Sequence, residues 1–308
     1  MTVQPSLPET CANVEEKRAR LDGELRSMGK VMIAYSGGVD SAFLAYAAHQ
    51  VLGKNMLAVL ADSASLARTQ LQDAVSFARE QGISLEVIAT GELERAEYTR
   101  NDASRCFHCK DELFEVMEKL RAEREFDCIA YGVNTDDLGD FRPGQKAAAA
   151  HNVKAPLVEA RLSKAEIREL ARASGLRIWD KPASPCLSSR IEYGRPVTRE
   201  ALSAVERGED ALRKMGFRHF RVRHHGQIVR IEIGREELPK AFTPEVAQKL
   251  VAIFKEIGFT YVTLDLEAFR SGSMNALLPA EQLTKGPSRA IAEGNSGHAP
   301  AKKARRVR

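Results

Sequence analysis

Five cysteines stand in this 308-residue chain, and three of them occupy contexts suited to chemistry. Cys106-Phe107-His108-Cys109 is a C-x-x-C placed just before an expected helix over 110–123. A helix N-terminus lowers a thiol pKa and favours the thiolate. A lone C-x-x-C serves equally as a redox pair, half of a zinc site or part of an iron–sulfur site. No second C-x-x-C follows, so Cys186 is the available third ligand and His108 a weaker one. Cys186 lies in WDKPASPCLSSR, residues 179–190, where two prolines stiffen the chain and Arg190 follows the thiol. That segment is too polar to bury an inert cysteine, and a nearby Arg again favours thiolate. Cys128, inside FDCIAYG, reads as a small core residue. Cys11 falls in the N-terminal segment. An odd count in a chain without an evident signal sequence argues against a disulfide framework.

A second chemical feature is the run VMIAYSGGVDS, residues 31–41. Four apolar residues read as a buried strand, and the pattern from Asp40 through Leu52 is helical. Strand, glycine turn and helix start together make an anion site, because the glycines let backbone N–H groups face a ligand and the helix adds unpaired donors and a positive dipole end. A surface charge gains about 0.3–1 kcal/mol there, and each charge-assisted hydrogen bond adds about 1.5–3 kcal/mol. No Lys follows the glycines, so this is not a Walker loop. Ser36-Gly37-Gly38-Val39-Asp40-Ser41 resembles the pyrophosphate loop of the PP-loop ATP pyrophosphatases, which implies cleavage of ATP to AMP and pyrophosphate with Asp40 near Mg²⁺.

Further polar groups fall where strands should end. Asp62-Ser63 is a candidate adenosine contact. Gly132 and Asn134 of GVNTDD could approach a nucleotide closely, and Arg142 of DFRPG could balance phosphate or substrate charge. Asn134 and Asp136 are also good turn formers, and Arg142 also fits a surface position. Arg221 and Arg223 share a strand face by period two and could clamp phosphate or carboxylate. The same arginines also suit a solvated face. Arg270 and Ser271 of RSGSMN add donors suited to a phosphate.

The elements that must carry these groups alternate between strand and helix. Residues 12–28 read as a helix, 31–34 as a strand, 55–62 as a second strand, 66–81 as a helix, 83–89 as a strand, 110–123 as a helix, 126–133 as a strand and 163–174 as a helix with Ser163 as N-cap and Glu166 at the capping-box position. Such βαβ repetition predicts an α/β fold with a parallel sheet, whose ligands bind beyond the carboxyl ends of the strands. From Pro196 the pattern changes to a helix over 198–215, a hairpin over 217–234, a helix over 244–257 and a strand over 261–266, a smaller α+β domain. The expected organisation is an N-terminal segment 1–25, a first domain 26–182, a cysteine-bearing linker 183–195, a second domain 196–278 and a disordered basic tail 279–308.

The net charge of +4 is set by the tail. Six basic residues and one acid lie between Gly286 and Arg308, so the rest of the chain is near −1. A body of that charge argues against general nucleic-acid binding. No apolar run is long enough to span a bilayer and no secretory signal is evident, so a cytoplasmic protein is expected.

SGGVDS, RCFHCK, GVNTDDLGDFRPG, KPASPCLSSR, RVRHHGQIVRIEI and YVTLDLEAFRSGSMN together resemble the LarE family, over about Glu24 to Leu278. That family comprises ATP-dependent sulfur transferases of nickel-pincer nucleotide biosynthesis. The resemblance implies a PP-loop (adenine nucleotide alpha hydrolase-like) domain and a homo-oligomer. It further implies adenylation of a carboxylate of pyridinium-3,5-biscarboxylic acid mononucleotide, followed by sulfuration to a thiocarboxylate. Cys186 occupies the family's sulfur-donor position. In one branch that cysteine gives up its own sulfur and becomes dehydroalanine. In another, three cysteines bind a 4Fe–4S cluster carrying an extra sulfide, and the presence of Cys106, Cys109 and Cys186 implies this branch. Arg221 and Arg223 match the family's substrate-phosphate positions. Glu209 aligns with an acidic site residue, although GED at 208–210 departs from the usual pattern. The competing readings are another PP-loop activation (tRNA thiolation or an amide-forming ligase) and a nucleotide-binding regulator without catalysis.

Overall fold

The structure is a computed structural model and describes residues 9–139, 143–270 and 274. Its first body is built around the strand that precedes the glycine turn. β1 (Val31–Ala34) is buried along its whole length. It pairs in parallel with β2 (Met56–Asp62) on one side and β4 (Cys128–Tyr131) on the other, and β3 (Leu85–Ala89) extends the sheet beyond β2, giving the order β3-β2-β1-β4. A central parallel strand covered on both faces needs apolar residues at every position, which is why VMIA shows no alternation.

Alternate β1 side chains enter different cores. Val31 and Ile33 pack with Leu21 and Leu25 of α1 (Glu9–Ser27), Phe43 and Leu44 of α2 (Val39–Leu52) and Phe77 of α3 (Arg68–Glu80). Met32 and Ala34 pack on the opposite face with Phe114 and Met117. Between β3 and β4 lie the single-turn α4 (Ala96–Thr99) and the long α5 (Arg105–Glu123). After β4 come α6 (Pro143–Ala150), the single-turn α7 (Pro156–Glu159) and α8 (Lys164–Ala173). The capping box expected at α8 is present: the Glu166 N–H donates to Ser163 Oγ at 3.3 Å, and the Ser163 N–H donates to Glu166 Oε2 at 2.9 Å. Lys17 of α1 then donates to Glu166 at 2.6 Å, tying the two helices together.

Two features differ from the sequence expectation. α5 begins at Arg105 rather than 110, so Cys106 and Cys109 sit inside its start and not ahead of it. The reason is local capping: Asp102 accepts from the Ser104 N–H at 2.8 Å, which lets the chain turn helical immediately afterwards. α6 was not expected. Its signal is Pro143 at the first helical position followed by a run of alanines.

The second sheet has the order β5-β6-β7, from β5 (Phe220–His225), β6 (Ile228–Ile233) and β7 (Tyr261–Leu264). β5 and β6 form the expected hairpin, turning at Gly226 with φ of +70°. β6 and β7 run parallel, joined through α10 (Leu238–Ala241) and α11 (Pro244–Ile257). One face buries Val222, Val229, Ile231 and Ile233 against Leu212 of α9 (Arg199–Lys214) and Leu250 and Phe254 of α11. The other face carries Arg221, Arg223, Arg230 and Glu232, and the register sets Arg221 opposite Glu232 and Arg223 opposite Arg230. Among the described residues, no helix is long and apolar enough to cross a membrane.

Candidate active site

The glycine turn has the geometry its composition calls for. Gly37 has a left-handed φ of +71°, and a Cβ on it would lie 2.5 Å from the Ala74 Cβ. Both the conformation and the space exclude a larger residue. Gly38 caps α2 without a side-chain hydrogen bond, leaving the first-turn N–H groups of the helix open at the loop. The two serines brace the turn from within: Ser36 Oγ and Ser41 Oγ are 3.0 Å apart, and the Ser36 N–H donates to Ser41 Oγ at 3.1 Å. Gly132, just past β4, lies against the start of α2, where a Cβ would come within 2.7 Å of the Ser41 nitrogen. This close approach of two strand ends to one helix N-terminus is the arrangement that binds phosphates in open α/β sheets.

Asp40 and Asn134 converge beside this turn. Burial raises the Asp40 carboxyl above the usual carboxylate range; Lys164 and Asn134 draw it down, and Asp137 adds to the rise. Asp40 Oδ1 and Asn134 Nδ2 are both buried without a well-formed hydrogen-bond partner. A buried carboxylate oxygen left in that state is suited to a hard cation, because Mg²⁺ takes oxygen ligands and supplies the missing charge. At the end of β2, Asp62 is engaged by the Arg68 guanidinium at 2.5 Å, and Ser63 Oγ lies 3.0 Å from Ser65 Oγ. Asp62 and Ser63 line a cavity of about 400 Å³ together with Thr90, Glu92, Arg199 and Glu206, so α9 of the second body closes over the strand ends of the first.

Cys106, Cys109 and Cys186 are brought to one place. Cys106 is exposed, and Cys109 and Cys186 are half-buried. Each thiol feels the others. Burial pushes Cys109 up to about 12, with Cys186 and Cys106 adding to the rise. Burial also raises Cys106; the Arg105 guanidinium pulls it down and Cys186 pushes it up. The thiolate expected from the helix N-terminus is therefore opposed by desolvation and by the neighbouring thiols. The buried Arg105 places a cation among them, its guanidinium held by Asn101 and by the Ser188 carbonyl at 2.8 Å. Among the described residues, no group of three or more His, Cys, Asp or Glu side chains converges closely enough to hold a metal ion. The three thiols fit an iron–sulfur cluster by donor type and by the cation that would offset its charge, but they are not drawn together at ligand distance.

The loop that carries Cys186 is fixed by side chains the sequence reading did not single out. Tyr98 donates or accepts across 2.5 Å to Ser188 Oγ, with both groups buried. The Leu187 N–H donates to the Ser65 carbonyl at 2.8 Å. Arg168 of α8 donates to the carbonyls of Trp179 at 2.5 Å and Lys181 at 2.8 Å, and Lys181 Nζ reaches the Gly37 carbonyl at 3.2 Å. Lys181 carried a recoverable signal, since a lone Lys before Pro182 in a site-bearing segment has a fixed backbone direction.

The second sheet's polar face forms the wall behind Cys186. Arg190 is buried and bidentate on Glu209 at 2.8 and 3.3 Å; it also donates to the carbonyls of Pro185 at 2.5 Å and Cys186 at 3.0 Å. Arg223 is buried too, donating to Glu232 at 2.8 Å and to the Ser189 carbonyl at 3.2 Å. Arg221 donates to the Ala183 carbonyl at 2.8 Å and lies over the Phe269 ring at 4.8 Å. Burial lowers Arg221 to about 10, with Arg190 and Arg223 adding to the fall. A partly desolvated cation crowded by two others is stabilised by any anion that reaches it. Arg190, Glu209 and Arg223 thus hold the wall and the loop, and Arg221 is the member with charge to spare. Arg270 is exposed and pairs with Glu267. Arg142 and Ser271 lie outside the described residues.

Comparisons with known proteins agree with this architecture. The NAD synthase family matches residues 14–126, the part that holds the glycine turn and the first three strands. An uncharacterised protein of Synechocystis is 41% identical over 86% of this chain and 99% of its own length. The pyridinium-3,5-bisthiocarboxylic acid mononucleotide synthase of Lactiplantibacillus plantarum is 33% identical over 88% of this chain and 98% of its own. A component of the glutamine-hydrolysing GMP synthase of Thermococcus kodakarensis is 26% identical over 67% of this chain and 72% of its own. With near-complete coverage in both directions, and with a PP-loop turn on a parallel sheet, the chain belongs to the LarE family, that of the pyridinium-3,5-bisthiocarboxylic acid mononucleotide synthases.

Proposed function

We propose that the protein is an ATP-dependent sulfurtransferase that adenylates carboxylates of pyridinium-3,5-biscarboxylic acid mononucleotide and converts them to thiocarboxylates. The observation that carries the reading is the single segment 179–190, which touches the glycine turn through Lys181 and carries Cys186 against an arginine-rich wall. A carboxylate is a poor electrophile. Its oxygen attacks the α-phosphorus of ATP, pyrophosphate leaves into the turn formed by Ser36–Ser41, and the mixed anhydride presents a carbonyl that a sulfur nucleophile can attack with AMP as leaving group. The open N–H groups of α2 and the backbone of the turn hold the departing charge. Asp40 would hold Mg²⁺, which neutralises phosphate charge. Asp62 and Ser63 face the nucleoside, and Gly132 and Asn134 give the phosphates close access. Arg221, supported by Arg223 and Arg190, attracts the substrate's phosphate.

Cys186 delivers the sulfur. Its loop is stiffened on one side by Arg190 and on the other by Tyr98 through Ser188, which holds the thiol at a fixed position beside the activated carbonyl. Cys106, Cys109 and Cys186 would hold a 4Fe–4S cluster, which when bound supplies a transferable sulfide in place of the cysteine's own sulfur. A PP-loop ligase that uses ammonia is the second reading, favoured by the similarity to GMP synthases, and such an enzyme needs no thiol at position 186. The deciding experiment is anaerobic turnover with ATP and the pyridinium substrate. Cys186→Ala is expected to release pyrophosphate and form no thiocarboxylate. Loss of both activities, or retention of both, would overturn the assignment. Iron content and the protein's mass before and after turnover separate the two sulfur sources: a loss of one sulfur per turnover marks Cys186 itself, and bound iron with unchanged mass marks the cluster.

A further inference from the structure

The glycine turn lacks the lysine that follows the glycines of a Walker loop, yet a lysine ammonium reaches it from far along the chain. Lys181 Nζ lies 3.2 Å from the Gly37 carbonyl at the apex of the turn. The carboxylate paired with it is Asp73, at 3.6 Å and half exposed. The Lys181 side chain is only 15% exposed. A buried ammonium has three N–H donors, and among the described residues they meet one carbonyl and one long, solvent-weakened ion pair. Burial lowers the Lys181 pKa, with Asp73 opposing and Arg177 assisting, so the site holds more positive charge than it neutralises. The backbone beneath it is fixed: Arg168 binds the carbonyls of Trp179 and Lys181, and the Trp179 ring is covered by Arg172 at 5.1 Å.

The geometry points to Lys181 as a phosphate-binding residue of the turn, one that engages the β- and γ-phosphates of ATP and the pyrophosphate they become. This rests on the reading of Ser36–Ser41 as a pyrophosphate loop. Position and charge both support it. The apex carbonyl of Gly37 accepts from the ammonium, so an anion seated on the N–H groups of the turn and of α2 lies within reach of the same nitrogen. Rotation about the last side-chain bonds exchanges a neutral acceptor for a charged one, which a desolvated cation favours strongly. The long Lys stem suits a point-charge contact from the side, with no rearrangement of the anchored backbone. AMP, which lacks the two outer phosphates, does not use it.

The test is titration of the full-length protein with magnesium pyrophosphate and, separately, with AMP. Lys181→Met is expected to weaken pyrophosphate binding by about 10- to 100-fold, the worth of one charge-assisted hydrogen bond, while AMP binding stays within about twofold. Lys181→Arg is expected to recover much of the loss. Equal pyrophosphate affinity in wild type and Lys181→Met would overturn the inference, as would equal weakening for pyrophosphate and AMP, which marks a purely structural tie between segment and turn. Should Lys181→Met fail to fold, Lys181→Gln carries the same comparison. A wild-type protein that binds neither ligand would instead overturn the pyrophosphate-loop reading, and this inference with it.

Discussion

The ion pair between Arg190 and Glu209 gives the sharpest test of how the site is held. Both side chains are buried, at 3% and 8% exposure, and the guanidinium makes five hydrogen bonds: two to Glu209, one to Ser189 Oγ at 2.9 Å, and one each to the carbonyls of Pro185 and Cys186. Glu209→Ala leaves a desolvated cation without its counter-charge, for which a cost of about 3–5 kcal/mol is expected. It also frees the Val222 N–H, which donates to Glu209 at 3.4 Å. Glu209→Gln keeps the shape and an acceptor, so a loss of about 1.5–3 kcal/mol is expected. The double variant Arg190→Met with Glu209→Leu removes both charges and is expected to regain most of the stability, because burying an apolar pair of similar volume is close to neutral. The Cys186 loop should not regain its order, since its two carbonyl contacts are gone. Urea unfolding reads the stability, and the rate of Cys186 alkylation followed by peptide mass reads the loop. A Glu209→Ala protein within about 0.5 kcal/mol of wild type, with unchanged alkylation, would refute the reasoning, since variation that small is what ordinary surface substitutions give.

Gly132→Ala sets a Cβ within 2.7 Å of backbone at the start of α2; overpacking of about 1–3 kcal/mol is expected, read as loss of ATP affinity by calorimetry. Tyr98→Phe leaves the buried Ser188 hydroxyl without its partner and is expected to lower unfolding free energy by about 1–3 kcal/mol in denaturant titration. His151 gives a pH test. Burial alone would lower its pKa, but Asp111 at 3.0 Å and Glu118 at 3.1 Å override this and hold it above the ordinary value. A raised folded pKa contributes stability that is complete below the unfolded value of about 6.5 and is lost as pH rises through the folded one. His151→Gln should therefore flatten the stability profile across that window, and a profile unchanged by the substitution would exclude the pairing as its source.

The first sheet was legible because its strands are short apolar runs ended by glycine or aspartate, with helices between them. VMIA before SGG, and MLAVLAD before Ser63, leave little choice. The Ser163–Glu166 capping box was legible for the same reason, being a purely local device. What escaped the sequence was non-local. Nothing adjacent to Glu209 announces that its partner is Arg190, 19 residues earlier, or that Tyr98 will meet Ser188 at a separation of 90. Period two correctly set Arg221 and Arg223 on one face. It could not tell which would be consumed internally, because that depends on Glu232 lying beneath Arg223. Desolvation likewise opposes the thiolate character expected of Cys109, and burial is not a local property of C-x-x-C.

The contacts that close the site also dictate when it can exist. Lys181 and Gly37 are separated by 144 residues, and the wall behind Cys186 is contributed by strands that begin only at Phe220. Pairings of such long range carry a large loop-closure entropy and form late. During synthesis the glycine turn emerges long before the cysteine it works with, and the arginines that pin that cysteine emerge later still. A thiol whose fate is to give up sulfur, or to be loaded with it, is thus left uncommitted until the last part of the chain has folded. Folding order itself becomes a safeguard against premature chemistry at Cys186.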